Sequence, residues 1–393
     1  MGIVPPLPLD VFYLIIDTIH STGNPGNLQS LSLASKNLCL LARTRMFRKL
    51  SLDLPKMKQI YNYIGDGSQQ PLPTVLSSVR NLHVQALEAS PSQAGRKYLE
   101  VLRFFTHVIH LRIYNWHFQD FDKHHVTHLL GHFGTSVTQL KLLKSYFNSE
   151  VLIFITSLFP LVDHLRVIPQ ALSELETYKI QDADLSRDVG FRGMLGLGYL
   201  NKLQDQFLEF VSKNCSFVHA ISVIHCESDG KLQGLIDHMG GNLLCVNVGV
   251  AVGGGEFFSS LKIPTSLPMI LTSCVQGPIS LSSCVNLKSL HIGLNGLFSP
   301  DDANWKILGT ITSPRLESIL IYNFSGITEH PLVEWKEIND FLCRYCLRIC
   351  AVKFRIYLRP DANQSDDYHR WFADYLSRAF SRFMEKTGSI MVL

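Results

Sequence analysis

Three histidines, His124, His128 and His132, recur every four residues in the stretch HHVTHLLGHF, with His125 beside the first. On a helix that spacing stacks the imidazoles along one side, and three imidazoles can hold zinc. The zinc-hydrolase pattern H-E-x-x-H sets a glutamate next to its first histidine, and no carboxylate or cysteine stands there in this chain. The spacing therefore favours a partly exposed polar helix face over a metal centre. Cys343, Cys346 and Cys350 lie in a helical pattern with Phe341 and Leu342, and no second C-x-x-C pair completes a tetrahedral set, so they read as buried structural thiols. Gly253, Gly254 and Gly255 have the glycine content of a phosphate-cradling loop but no following Lys-Ser or Lys-Thr. No G-x-S-x-G or comparable motif marks a nucleophile. No catalytic residue, metal ligand or cofactor is assigned, and the chain is read as non-enzymatic.

The chain has 393 residues, of which 46% are hydrophobic and 18% charged, values typical of a globular protein with one long array or two ordinary domains. A net charge of +3 is too small to imply nucleic-acid binding, and aromatic residues do not interleave with a basic patch. No basic region precedes an apolar core at the amino terminus. The longest apolar run, Val151 to Val162, is interrupted by Pro160 and falls short of the roughly 20 residues of a membrane span. Nine cysteines, an odd number, suit reduced thiols in a reducing compartment. Three Asn-x-Ser sequons, at Asn214, Asn323 and Asn363, point the other way, but such short motifs arise by chance. The expected location is intracellular, in cytoplasm or nucleus, with no membrane or nucleic-acid partner.

The elements that open the chain carry more apolar surface than they can bury. In LPLDVFYLIIDTI, Val11, Leu14, Ile15 and Ile19 form one helical stripe, while Phe12, Tyr13 and Ile16 load the next face. The turn-rich HSTGNPGN follows. A second helix starts near Pro25 or Asn27 with Leu28, Leu31 and Ala34 along one side, and a third, capped by Ser35 or Asn37, carries Leu38, Leu41 and Ala42. Three short helices in under fifty residues have too little interior to cover every apolar face.

Leu7-Pro8-x-Asp10-Val11, then Ile15-Ile16 and Ile19, then Asn27-Leu28-x-x-Leu31-Ser32-Leu33-Ala34-Ser35-Lys36, and finally Phe47-Arg48-Lys49-Leu50, resemble an F-box in order and spacing. Asp10 replaces the usual Glu, Ser35 the usual Cys and Leu38 the usual Trp. The resemblance covers residues 1–50. It implies docking on the Skp-type adaptor, and through it a cullin, by Leu7, Pro8, Val11, Ile15, Ile16, Ile19, Leu28, Leu31, Ser35, Leu38 and Leu41. The rival reading is a helical cap on the array that follows.

That array shows as a recurring apolar-x-x-apolar-x-apolar pattern: Val79/Leu82/Val84, Val108/Leu111/Ile113, Val137/Leu140/Leu142, Val162/Leu165/Val167, and on through Val218, Leu243, Leu287 and Leu316. Leu50-x-Leu52, Leu195-x-Leu197 and Phe354-x-Ile356 are shorter versions. Stretches of helical texture separate them, such as QDQFLEFV. Strand and helix alternating at 25 to 35 residues resemble degenerate leucine-rich repeats, an α/β solenoid with parallel strands on the concave side. Only the repeat from Leu287 to Asn295 carries the Asn that satisfies turn backbone groups. Leu87, Trp116, Ser145 and Phe324 replace it elsewhere, so those turns need other means. The expected organisation is an F-box at 1–50, an irregular solenoid at 51–358 with an insertion near 249–284, and a capping helix and tail at 359–393.

Between the apolar strand positions stand His83, Arg112, Lys141 and Arg166 in four successive repeats, on the face where solenoids bind partners. A basic stripe suits an acidic or phosphorylated protein segment. Taken together, the resemblances imply a substrate-recognition subunit of a cullin-RING (SCF-type) ubiquitin ligase. The alternative is a leucine-rich-repeat scaffold acting without a ligase.

Overall fold

A computed structural model describes residues 15–19, 25–34, 39, 42, 45–65, 76–85, 97–118, 121–169, 192–198, 205–214, 217–223, 229–248, 279–294, 307–323, 343, 351–356, 374, 377–378, 381 and 389–392. The protein is α/β, and the pairings described between its strands are parallel. Two compact units divide the chain, one of residues 1–147 with 154–162, the other of residues 148–153 with 163–393.

In the first unit, β1 (Lys49–Leu52), β2 (Asn81–Gln85), β3 (His110–Tyr114) and β4 (Gln139–Ser145) pair each with the next in sequence. The return path from one strand to the next is a helix or turn, as a parallel pairing requires. These are α2 (Leu54–Gly65), the 3-10 helix η1 (Lys97–Phe104), and α3 (Lys123–Leu130) continued by the 3-10 turn η2 (Gly131–Thr135). They follow α1 (Pro25–Ala34) in sequence. Burial alternates along β2 and β3, with Leu82, Val84, Leu111 and Ile113 inside and their neighbours half-buried. That period of two gives the sheet one core face and one polar face.

Behind the core face lie Met57 of α2, Leu99, Val101 and Leu102 of η1, Val126, Leu129 and Leu130 of α3, and Phe133 of η2, all buried. Val79, Val108 and Val137, three residues ahead of the first inward strand position, are fully buried and close the bottom of each repeat. A shared backbone device sets the strand entry. The carbonyl of Arg48 accepts from the N–H groups of Arg80 and Asn81, that of Arg80 from Ile109 and His110, and that of Ile109 from Thr138 and Gln139.

The second unit repeats the scheme through β5 (His164–Pro169), β6 (Arg192–Leu197), β7 (Phe217–Val223), β8 (Cys245–Val248), β9 (Ser289–Leu294), β10 (Ser318–Asn323), β11 (Ala351–Ile356) and β12 (Ser389–Val392). Helices α5 (Asp205–Asn214) and α6 (Asp229–Met239) precede β7 and β8, and α4 (Ser149–Ser157) precedes β5. The same paired acceptance recurs, Leu244 O receiving Lys288 and Ser289, and Lys288 O receiving Glu317 and Ser318.

Buried and half-buried polar side chains hold the chain segments that join the strands. Ser145, fully buried, accepts from the Trp116 N–H at 3.2 Å and donates to Leu143 O at 3.1 Å. Ser313 donates to Val285 O and Leu287 O. The Gln233 amide accepts from Ser280 N–H and donates to Ser280 O.

The sequence reading ended the array in a capping helix and tail. Asp374, Ser377, Arg378 and Ser381 are helical, and the tail supplies β12, which pairs with β11. The segments 249–278, with the triple glycine and most of the expected insertion, and 357–373 lie outside the described residues.

Candidate functional site

Two surfaces of the first unit answer to the residues singled out in the sequence. At the amino end, residues 15–19 are helical, as are Pro25–Ala34 and, in the third stretch, Cys39, Ala42, Arg45 and Met46. Arg45 grips Asp17 with two bonds, Nε to Oδ1 at 2.7 Å and Nη2 to Oδ2 at 3.0 Å, and ties the third stretch to the first. Within this unit Ile16 (0% exposed), Leu28 (2%) and Ala42 are buried, whereas Ile15 is 39% and Leu33 80% exposed. Ile19 and Leu31 are half-buried.

Of the eleven expected adaptor contacts, Ile16 and Leu28 thus serve the chain's own packing, while Ile15 faces outward. Leu7, Pro8, Val11, Ser35, Leu38 and Leu41 lie outside the described residues. Leu33 is the apolar residue that periodicity passed over. The expected stripe of Leu28, Leu31 and Ala34 runs along the side on which Leu28 is buried, and Leu33 stands off that stripe.

The second surface is the polar face of β1 to β4. Parallel register aligns Ser51, His83, Arg112 and Lys141 in one row across the four strands. Two residues earlier stand Lys49, Asn81, His110 and Gln139 in a second row, and Gln85 and Tyr114 follow on the other side. Ser51 Oγ lies 3.3 Å from His83 Nδ1, and the His83 ring meets Tyr114 edge-on at 6.1 Å. Lys144 Nζ sits 5.6 Å from the centre of the Tyr114 ring. His83, Arg112 and Lys141 are half-buried. None of these four strands carries Asp or Glu.

Three members of the expected basic stripe, His83, Arg112 and Lys141, share this row within the first unit. Arg166 belongs to the second unit, where Gly196 is its neighbour in register. Sequence pattern missed Lys49 and Ser51, although Leu50-x-Leu52 already marked their strand.

The histidine series resolves differently from the expected single helix face. Helix α3 ends at Leu130, and His132 lies in the tighter turn that follows. His124 is exposed, His128 Nε2 lies 3.0 Å from Glu100 Oε2, and His132 Nε2 lies 3.0 Å from Leu102 O. Burial pushes the His132 imidazole below its usual pKa, with Arg103 and His128 adding to that and the bond to Leu102 O opposing it. These side chains fasten α3 and η2 to η1. Among the described residues no group of three or more His, Cys, Asp or Glu side chains could hold a metal ion. Burial pushes the Cys245 thiol up and the Cys284 thiol up to about 11, which disfavours the nucleophilic thiolate at both. Cys343 is half-buried, and Cys346 and Cys350 lie outside the described residues. No helix among the described residues is long and apolar enough to cross a membrane.

The fold and these surfaces define an α/β protein of sequentially paired parallel strands with exposed apolar residues on its amino-terminal helices and a basic row on its sheet. Compared with known proteins, the sequence matches no protein-family model and no curated protein.

Proposed function

We propose that the chain is the substrate-recognition subunit of a cullin-RING ubiquitin ligase. Its amino-terminal helices dock on a Skp-type adaptor, and its strand face holds the protein to be modified. The observation that carries the reading is the division of labour between adjacent residues at the amino end. Ile16 and Leu28 are buried by the unit itself, while Ile15 and Leu33 remain in contact with water on the same short helices. Covering a large apolar side chain stabilises by about 1.5 to 3 kcal/mol, so such a pair favours an outside partner.

In this reading Ile15 and Leu33, with the half-buried Ile19 and Leu31, meet the adaptor. The F-box-like order of Leu7, Pro8, Val11, Ser35, Leu38 and Leu41 supplies the rest of the set. The repeats act as leucine-rich repeats do, presenting the basic face to the substrate. Catalysis then consists of positioning, since bringing reactants together lowers a barrier without chemistry from this chain.

The test is direct binding of the full chain to a purified Skp-type adaptor. Ile15→Asp with Leu33→Asp abolishes binding and leaves the melting temperature within a few degrees of wild type. Ile16→Asp is unsuitable because it places a charge in the core. Wild-type protein that ignores the adaptor while capturing partners through its strand face belongs to the scaffold class instead.

A further inference from the structure

The polar face of β1 to β4 has a charge distribution that specifies more than a generic partner. Across these four strands the outward rows carry Lys49, His83, His110, Arg112 and Lys141 and no carboxylate, in a chain whose totals are nearly balanced at 36 basic and 33 acidic residues. We propose that this face binds an extended, carboxylate-rich segment of a partner protein, laid across the strands with its acidic side chains on the Ser51, His83, Arg112 and Lys141 row. The proposal takes from the receptor reading above only that the partner is a protein.

Three features select that occupant. First, the cations are dispersed. Neighbouring parallel strands lie about 4.8 Å apart, so Arg112 and Lys141 stand side by side without converging on a point. A single phosphoryl group is held best by several donors aimed at one place, above all by forked arginine pairs, and this row has one arginine. Alternate carboxylates on an extended peptide share one face about 7 Å apart, so a run of them meets cations spread over several strands instead of one point.

Second, Asn81 and Gln139 on one side of the row and Gln85 on the other bear amides, which donate and accept together. The strands' own N–H and C=O groups are engaged in the parallel ladder, so strand addition on this face is closed and side chains must do the reading. Flanking amides are the groups able to meet a crossing peptide backbone.

Third, a single-stranded nucleic acid needs open aromatic platforms for its bases. The Tyr114 ring is already met by the His83 edge and by Lys144.

The experiment uses the full chain and a labelled peptide alternating Glu with Ser, read by fluorescence anisotropy. The competitors are the same peptide with Gln for Glu, a neutral peptide with one phosphoserine, and a single-stranded oligonucleotide of equal charge. The expected result is that the Glu peptide binds, and that Arg112→Glu with Lys141→Glu weakens it at least about tenfold. Raising salt from about 0.1 M to about 1 M, which shortens the screening length from about 10 Å to about 3 Å, weakens it likewise.

Should the double reversal fail to fold by circular dichroism, Arg112→Gln with Lys141→Gln carries the same prediction. Equal binding of Glu and Gln peptides, binding unchanged in the folded variants, or tighter binding of the phosphoserine peptide or the oligonucleotide overturns the proposal. Adaptor binding measured on the same samples separates the two ideas, because it depends on Ile15 and Leu33 and is untouched by charge reversal on the sheet.

Discussion

Ser145 shows how a buried hydroxyl holds the exits of two neighbouring strands. Its hydroxyl, fully buried, accepts from the Trp116 N–H and donates to Leu143 O, at the position where the sequence's resemblance to leucine-rich repeats leads to an expected asparagine. The neighbouring residues Asn115 and Lys144 have φ of 57° and 48°, the left-handed conformation of a tight exit from a strand. Ser145→Ala leaves a buried N–H without its acceptor and costs about 1 to 3 kcal/mol, measurable as a lowered midpoint in urea with an unchanged slope. The inward rows were legible in the sequence, since Leu82, Val84, Leu111, Ile113, Leu140 and Leu142 follow the period of two that burial imposes. Ser145 was legible only as a departure. A serine at that position has no pattern that distinguishes a buried hydroxyl from an exposed one, and the partner it serves lies 29 residues back, just past the end of β3.

At the level of elements, the histidine stretch reads as one helix and folds as two pieces. The 3-10 turn Gly131–Thr135 swings His132 onto the Leu102 carbonyl of the preceding helix. Periodicity cannot register that change of helix type, because both types satisfy the same local apolar spacing over one turn. The consequence is a pH dependence with a defined sign. Burial holds the His132 pKa below its usual value, so the unfolded chain takes up a proton more readily than the folded one. His291, also lowered by burial, acts in the same sense. Their contribution is fully present above the unfolded value of about 6.5 and is lost as pH falls below it. A thermal melt series therefore declines on the acid side, and His132→Gln, whose amide can still donate to Leu102 O, declines less steeply.

Glycines test the packing of the same elements. A Cβ on Gly134 would stand 2.3 Å from Leu158 O, so Gly134→Ala forces backbone apart. Gly230, at the start of α6, has nothing within 4 Å. Gly134→Ala lowers stability by more than about 1 kcal/mol, while Gly230→Ala raises it by about 0.4 to 1 kcal/mol through the unfolded chain's lost freedom. Thermal melts of the two variants give opposite shifts. The strand Ser389–Val392 was not legible at all. Ile390, Met391 and Val392 run together without the apolar-x-apolar spacing that marked the other strands, and SIMV pairs with β11.

For the whole molecule, the alternation of strand and return path was readable because each repeat must bury the same inward residues, while the partner surfaces were readable only in outline. Ile15 and Ile16 are adjacent and equally apolar, and only the fold separates the exposed one from the buried one. The basic row was visible as a recurrence, and register was needed to place Ser51 and Lys49 beside it and Arg166 in the other unit.

Adaptor docking is the property on which the functional reading stands. Its most direct test is titration calorimetry of the full chain into a purified Skp-type adaptor, comparing wild type with the Ile15→Asp, Leu33→Asp variant. Saturable binding of wild type, with loss of at least about a hundredfold in a variant that melts normally, is the predicted result for two large apolar contacts. No heat and no complex with wild type, or equal affinity for both, would contradict it.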